Sequence, residues 1–440
     1  MYRSFNKVLL FIILTHAGLA FSQSHWEVLP NAPTAIGCFE DIMFITPEVG
    51  WLVHSQGRLY KTTDGGATWP LIYQDVGSFF RSVVFTDPLH GWIGSLAGPD
   101  LLIQTTDGGL SWSSVLEDHD LPITGICGFS AASDSVVFGI GRFNGNPWLV
   151  KTSDLGQTWT VRDLSNYAGT LVDCYFFNPD TGFVVGGTRT GAFPDAINAV
   201  VLQTFDGGLN WYERKSTERP GEWCWKISFA NRNVGFVSIE TNGYNQKTQH
   251  ILKTTDGGLS WEEIAIRDDF RIQGIGLASA NLGWVGGQEL TFETMDGGAS
   301  WLLTDFEWQN INRFQFFGDS LGYAVGKTVY KFYNPKNPTF VSVRMEKPTD
   351  HRLLQNYPNP FNPTTSISFN LPDASRVKLS VYTNLGQLIK VLVDEELPAG
   401  QYQAVWNGLD VNGNVLASGL YLYQLKTEQF VRTNKMVLMK

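Results

Sequence analysis

One eight-residue motif recurs six times along the chain, and no other feature restricts its fold as tightly. The copies are Thr62–Trp69, Thr105–Trp112, Thr152–Trp159, Thr204–Trp211, Thr254–Trp261 and Thr294–Trp301. Each has Thr, then Asp, then Gly-rich turn residues, then Trp, and the one lapse from Asp-Gly-Gly is Leu155. The copies lie roughly 40 to 52 residues apart, the length of a four-stranded propeller blade. Asp-Gly-Gly makes a hairpin turn because its glycines accept positive φ. The Asp carboxylate can accept N–H groups of its own turn, and the Thr and Ser hydroxyls can tie the strand ends. The Trp then opens the next strand and buries its indole between sheets. On this reading Asp64, Asp107, Asp154, Asp206, Asp256 and Asp296 are structural, as are Trp69, Trp112, Trp159, Trp211, Trp261 and Trp301.

A second motif precedes each turn: Phe or Leu, a short spacer, then Gly-aromatic. It reads Phe44…Gly50-Trp51, Phe85…Gly91-Trp92, Phe177…Gly182-Phe183, Phe229…Gly235-Phe236, Leu277…Gly283-Trp284 and Phe317…Gly322-Tyr323. A degenerate copy starts at Phe129 and has Val137-Phe138-Gly139 in the equivalent place. That makes seven units against six Asp turns. The seventh runs to Phe332 with no turn and no outer strand. His25-Trp26-Glu27-Val28-Leu29 resembles the outer strand Trp261-Glu262-Glu263-Ile264, so residues 25–29 are expected to complete unit seven. Such closure removes the open sheet edges that invite aggregation. The expected fold is all-β: a seven-bladed β-propeller over 23–333, followed by a small immunoglobulin-like β-sandwich.

After Phe332 the repeat stops. Asn334, Pro335, Pro338 and Pro348 mark 334–350 as a linker. Within 351–440, short alternating strands follow at Ser366–Asn370, Val377–Thr383, Gln387–Val393, Gln401–Trp406, Gly419–Thr427 and Phe430–Leu438. At the other end, Arg3 and Lys7, the apolar run from Val8 to Leu14, and Ala20 and Ser22 read as a signal peptide over 1–22. No later stretch is long and apolar enough to span a bilayer as a helix, so the mature chain is expected to carry no integral membrane segment. The formal charge of −10, about −12 without Arg3 and Lys7, argues against nucleic-acid binding, which draws most of its affinity from phosphate neutralisation. Cys38, Cys127, Cys174 and Cys224 contain no CxxC; they are either buried thiols or include one bridge, Cys174 to Cys224.

The six turns match the Asp-box, or BNR, repeat of sialidases and related propellers. Together with the Phe…Gly-Trp units they most resemble the photosystem II assembly/stability factor type of seven-bladed propeller, over 25–333. Residues 351–440 resemble the type A C-terminal sorting domain of the type IX secretion system. The resemblance rests on Tyr357 to Pro363, Val381 to Gly386, Trp406 to Gly408, Ala417 to Tyr421 and Lys435 to Lys440. It implies Sec export, outer-membrane passage through the type IX machinery, and a secreted or surface-anchored product.

A sialidase needs an arginine cluster, an Arg-Ile-Pro segment and a Tyr–Glu pair; Arg271-Ile272-Gln273 is the nearest approach. Counting four residues back from each unit's Phe or Leu gives a ring around the channel: Glu40, Arg81, Gly125, Asp173, Trp225, Gln273 and Arg313. Glu40 is expected beside Arg81 and Arg313, and nearly opposite Asp173. Glu40, Arg81, Asp173, Trp225, Gln273 and Arg313 therefore form the candidate ligand-binding mouth. His25, His54, His90, His119 and His250 are scattered and show no metal-site spacing, so no metal or other cofactor is expected. The functional expectation is a monomeric, non-catalytic binding or scaffold propeller with a protein or glycan ligand. The alternative is a glycoside hydrolase, sialidase-like or endoglucanase-like, using the channel.

Overall fold

A computed structural model describes residues 25–34, 37–119, 121–141, 145–188, 195–243, 247–304, 310–334, 340–343, 350–356, 359–361, 365–397, 399–411 and 414–439. The expected signal peptide, residues 1–22, lies outside them, as does most of Tyr357 to Pro363. Seven four-stranded antiparallel sheets follow in chain order. In the first, Phe39–Phe44 is innermost, then Gly50–His54, Arg58–Thr62 and Leu71–Gln74. The other innermost strands are Phe80–Phe85, Ile126–Ala131, Thr170–Phe176, Glu222–Phe229, Ile272–Leu277 and Arg313–Phe317. Each packs on the next, and Arg313–Phe317 packs back on Phe39–Phe44, so the ring is closed. Among the described residues the one helix is a single turn, Val115–Asp118, after blade two's outer strand.

The seventh sheet draws its outer strand from the other end of the chain. His25–Val28 pairs antiparallel with Val329–Tyr333, setting Trp26 opposite Phe332. Trp26 is buried among Trp284, Phe314, Phe316 and Phe332, with centroids 5.2 to 6.0 Å away.

The two motifs do different jobs. In the first turn, Asp64 Oδ1 accepts the Thr68 N–H (2.9 Å) and the Thr62 hydroxyl (2.7 Å), and Oδ2 accepts the Thr68 hydroxyl (2.6 Å). Thr62 Oγ1 in turn accepts the Gly66 N–H (2.9 Å). The same set recurs around Asp107, Asp154, Asp256 and Asp296, and around Asp206 with the Asn210 side-chain amide in place of the second hydroxyl. These bonds hold the carboxyls below the usual range, Asp256 at about 2 through Ser260 first. Gly65 takes φ 69°, and the lapse residue Leu155 adopts the same left-handed backbone at φ 59°.

The Phe…Gly motif sets blade against blade. Phe44 lies on Gly50, where a Cβ would stand 2.5 Å from the ring. In five blades the aromatic at the position after this Gly, or after Val137 in blade three, stacks on the next blade's Phe: Trp51 on Phe85 (3.6 Å), Phe138 on Phe176 (3.6 Å), Phe183 on Phe229 (5.2 Å), Trp284 on Phe316 (5.1 Å) and, across the closure, Tyr323 on Phe44 (3.8 Å).

The C-terminal part forms two further sheets. One orders Phe340–Val343, Gly400–Trp406, Thr365–Leu371 and Arg352–Leu353; the other orders Leu388–Leu397, Ser375–Thr383, Gly419–Lys426 and Val431–Leu438. Ile367, Phe369, Leu379, Trp406, Tyr423 and Met436 fill their shared core. The expected linker 334–350 needs correction. Phe340–Val343 pairs with Gln401–Ala404 and belongs to this sandwich, although proline-rich flanks conceal it in the sequence. The proposed Cys174–Cys224 bridge is also corrected: both thiols are free and buried, and Cys174 Sγ faces the carbonyls of Gly128 and Phe138.

Candidate functional site

Register decides which side chains reach the channel. The anchor is the residue opposite the motif Gly: Phe44, Phe85, Phe176, Phe229, Leu277 and Phe316. In blade three Ala131 opposes Val137. The sequence count started from Phe177, Phe317 and Phe129, so it misplaces blades three, four and seven. Four residues before the anchors stand Glu40, Arg81, Cys127, Val172, Trp225, Gln273 and Asn312. Gly125 is replaced by Cys127, and Asp173 and Arg313 fall one level deeper, beside Asp41, Ser82, Gly128, Lys226 and Gly274. In six blades the pairing slips at the upper level, around Glu40, Arg81, Cys127, Val172, Trp225 and Gln273; blade seven runs through without a slip. Such bulges re-aim the next side chain.

The deeper level is a buried ion network. Arg313 of blade seven donates through Nε to Asp41 of blade one (2.8 Å) and through Nη1 and Nη2 to Asp173 of blade four (3.0 and 3.1 Å). One guanidinium thus spans the channel. Each carboxylate also accepts a main-chain N–H of the following blade: Asp41 from Val83 and Asp173 from Ile227, both at 3.2 Å. Gly128 makes room for this, since a Cβ there would lie 2.6 Å from Asp173 Oδ1. Burial pushes the Asp173 carboxyl up, but Arg313, Lys226 and the hydrogen bonds outweigh it and hold the group below its ordinary value. Lys226 is buried, and among the described residues none hydrogen-bonds its Nζ. Burial first, then Arg313 and Arg81, lower its pKa to about 8 against the pull of Asp173 and Asp41.

Above this network Arg81 pairs with Glu40 (3.2 Å) and lies over the Trp225 ring, 5.2 Å from its centroid. Burial lifts the Glu40 carboxyl, and Arg81 and Lys226 only partly offset it. Arg81 and Asp173 are buried, so they do not form the open mouth expected of them. Glu40, Trp225 and Gln273 are half-buried. On the other side of the network the channel widens to a cavity of about 320 Å³, with Asp41 and Arg313 at its floor. Asp41, Lys226 and the cavity escaped the sequence reading.

The network also limits chemistry. A glycosidase needs one carboxyl kept protonated near neutral pH beside a second that stays ionised. Asp41 and Asp173 meet on a shared arginine, and Asp173 is held anionic. Among the described residues no cluster of His, Cys, Asp and Glu could hold a metal ion, and no helix is long and apolar enough to cross a membrane.

Comparison with known proteins adds the following. Residues 20–128 match the family described as photosynthesis system II assembly factor YCF48, and residues 357–429 match the FlgD Ig-like domain. The photosystem II assembly lipoprotein Ycf48 of Synechococcus sp. (strain CC9902) is 27% identical over 175 residues, 38% of this chain. The match spans only 45% of that relative's length. The solved structure of YCF48 bound to D1 peptide superimposes over 70% of this chain and 96% of its own, at 22% identity and a TM-score of 0.54. An ancestral GH74 enzyme covers 93% of this chain and 63% of its own, at 14% identity and a TM-score of 0.51. At these identities the two structures establish likeness of fold alone.

Proposed function

We infer, from a propeller of the Ycf48-like BNR-repeat kind, that this chain holds another protein and carries out no reaction. The observation that supports this most directly is the use of both facing channel carboxylates, Asp41 and Asp173, to saturate Arg313. They stiffen the channel, and the two are engaged with one arginine instead of serving as an acid and a base. A relative solved with a D1 peptide makes a polypeptide the natural ligand class. The half-buried mouth of Glu40, Trp225 and Gln273, with Arg81 against the Trp225 ring, offers it an aromatic side chain and hydrogen-bonding groups. Residues 351–440, by their resemblance to a type A sorting domain, deliver the propeller to the cell surface through the type IX machinery.

The second reading is a glycoside hydrolase, favoured only by the fold shared with an ancestral GH74 enzyme. Both readings are tested on the full chain. Sialyllactose, xyloglucan and β-glucans should show no turnover. Turnover that disappears in Glu40→Gln or Asp41→Asn would install the hydrolase reading. A photo-crosslinker at position 273 on the producing cell should capture a protein, with Trp225→Ala cutting the yield at least tenfold at an unchanged melting temperature. Capture indifferent to Trp225→Ala would remove the mouth. Deleting 351–440 should abolish surface protease accessibility; unchanged accessibility would refute the delivery route.

A further inference from the structure

The turn of blade four differs from its five counterparts at the positions facing solvent. The residue before the Asp, the residue after the Gly pair and the residue after the Trp are Phe205, Leu209 and Tyr212. The same positions hold Thr63, Ala67 and Pro70 in blade one and Thr106, Leu110 and Ser113 in blade two. No other turn is large and apolar at all three. Phe205, Leu209 and Tyr212 are 46, 57 and 51% exposed. The two rings sit 6.0 Å apart, and Arg214 lies over both, 5.5 Å from Phe205 and 5.6 Å from Tyr212. Arg214 is itself fixed by its Nε bond to Gln203 Oε1 (2.7 Å). An exposed aromatic pair locked by an arginine is costly to leave in water and is preorganised for a partner.

Beside this turn runs a groove of about 320 Å³, walled on one side by Asp206, Gly207 and Leu209 of the turn and on the other by blade three, through Leu149 and Lys151 and through Thr160 to Arg162 of its outer strand, Thr160–Asp163. That strand pairs inward with Trp148–Thr152, and among the described residues no strand covers its outer edge. Lys151 and Arg162 give the groove positive charge in a chain of net charge −10. Asp206 also lines it, but its carboxylate is enclosed by Thr204 and Asn210 and held at about 2. Arg162 reaches across to the Leu209 carbonyl (3.4 Å) and fixes the groove's width.

We propose that this rim groove is a second docking surface, separate from the channel mouth, and that it takes an extended acidic segment of a partner protein as an added strand on Thr160–Asp163. Main-chain pairing uses the free edge, carboxylates meet Arg162 and Lys151, and alternate apolar side chains cover Leu209 and Phe205.

The test uses the full chain and a fluorescein-labelled peptide alternating Glu with Val and Phe, followed by anisotropy. Saturable binding is expected, at least tenfold weaker for Leu209→Asp and for Arg162→Glu, and unchanged for Leu110→Asp at the matching position of blade two. The same peptide with Lys in place of Glu, or with alternate amides N-methylated, should bind at least tenfold more weakly. No saturable binding, equal binding of either altered peptide, or an equal loss in Leu110→Asp would overturn the proposal. So would a dimer in sedimentation that Leu209→Asp dissolves, because the face would then serve a second copy of this chain.

Discussion

Lys226 is a buried channel cation whose neighbouring carboxylates are already engaged by Arg313. Asp41 and Asp173 attract it, but Arg313 holds both by direct hydrogen bonds, and Arg81 and Arg313 repel it. The folded protein therefore releases this proton at about pH 8, whereas the unfolded chain keeps it to the ordinary lysine value of 10.5. Between those values the unfolded state binds more protons, so stability rises with pH, by up to ~3 kcal/mol. Urea midpoints of the native chain and Lys226→Met, measured from pH 7 to 10, should converge as pH rises: the native curve climbs relative to the variant, which lacks the titrating amine. Parallel curves would place the amine in water. Gly128 guards the same network. Its Ala variant would set a Cβ 2.6 Å from Asp173 Oδ1 and 3.1 Å from the Val172 carbonyl, and the expected cost is ~1–3 kcal/mol in urea unfolding. At this scale the sequence was partly readable. The six turn aspartates and their hydroxyl partners followed from residue type and spacing. Asp173 and Arg313 came one level too high, because Phe176-Phe177 and Phe316-Phe317 each offer two anchors and only strand pairing chooses between them. Bulges leave no mark in side-chain alternation, so Asp41 and Lys226 were invisible.

Between elements, the blades are fastened by side chains that reach into the next turn. The residue before the motif Thr, or its equivalent in blade seven, does this repeatedly: Lys61 donates to the Gly108 carbonyl (3.0 Å), Lys331 to Gly65 (3.0 Å) and Gln203 to Gly257 (3.4 Å). Blade six faces blade seven, which has no Asp turn, and there the residue is Glu293, which accepts the Trp284 indole N–H at 2.8 Å. A donor stands where a turn carbonyl waits, and an acceptor stands where none does. The closing strand shows the same economy. Trp26 is buried, while Val28 is 55% exposed. Trp26→Ala should cost ~3–5 kcal/mol by removing a large aromatic from a filled site, and Val28→Ala should stay within about 0.5 kcal/mol. Chemical denaturation of both variants would settle the comparison, and equal effects would mean that the strand is held by backbone pairing alone. The likeness of His25–Leu29 to an outer strand was legible because one Trp begins each outer strand.

Across the whole molecule, ring closure is written twice, once in strand pairing and once in charge. Arg313 joins blade seven to blade one, its neighbour through the closure, and to blade four across the channel, so the network is complete only when all seven sheets are present. Buried pairs of this kind add little net stability and are better read as fixing arrangement. The boundary of the C-terminal module follows the same logic of completed sheets. Composition puts its start near residue 351, because prolines and polar residues crowd 334–350. Strand pairing puts it at Phe340, which lies opposite Ala404. A fragment beginning at 351 would leave the edge of Gly400–Trp406 bare, and bare edges recruit other chains. Expressed side by side, 340–440 should be monomeric in sedimentation and melt cooperatively. The 351–440 fragment should melt at a lower temperature or self-associate, and adding a peptide of sequence Phe340–Val343 with its flanks should restore part of the difference. Equal melting of the two fragments would show that the first strand is dispensable and return the boundary to 351.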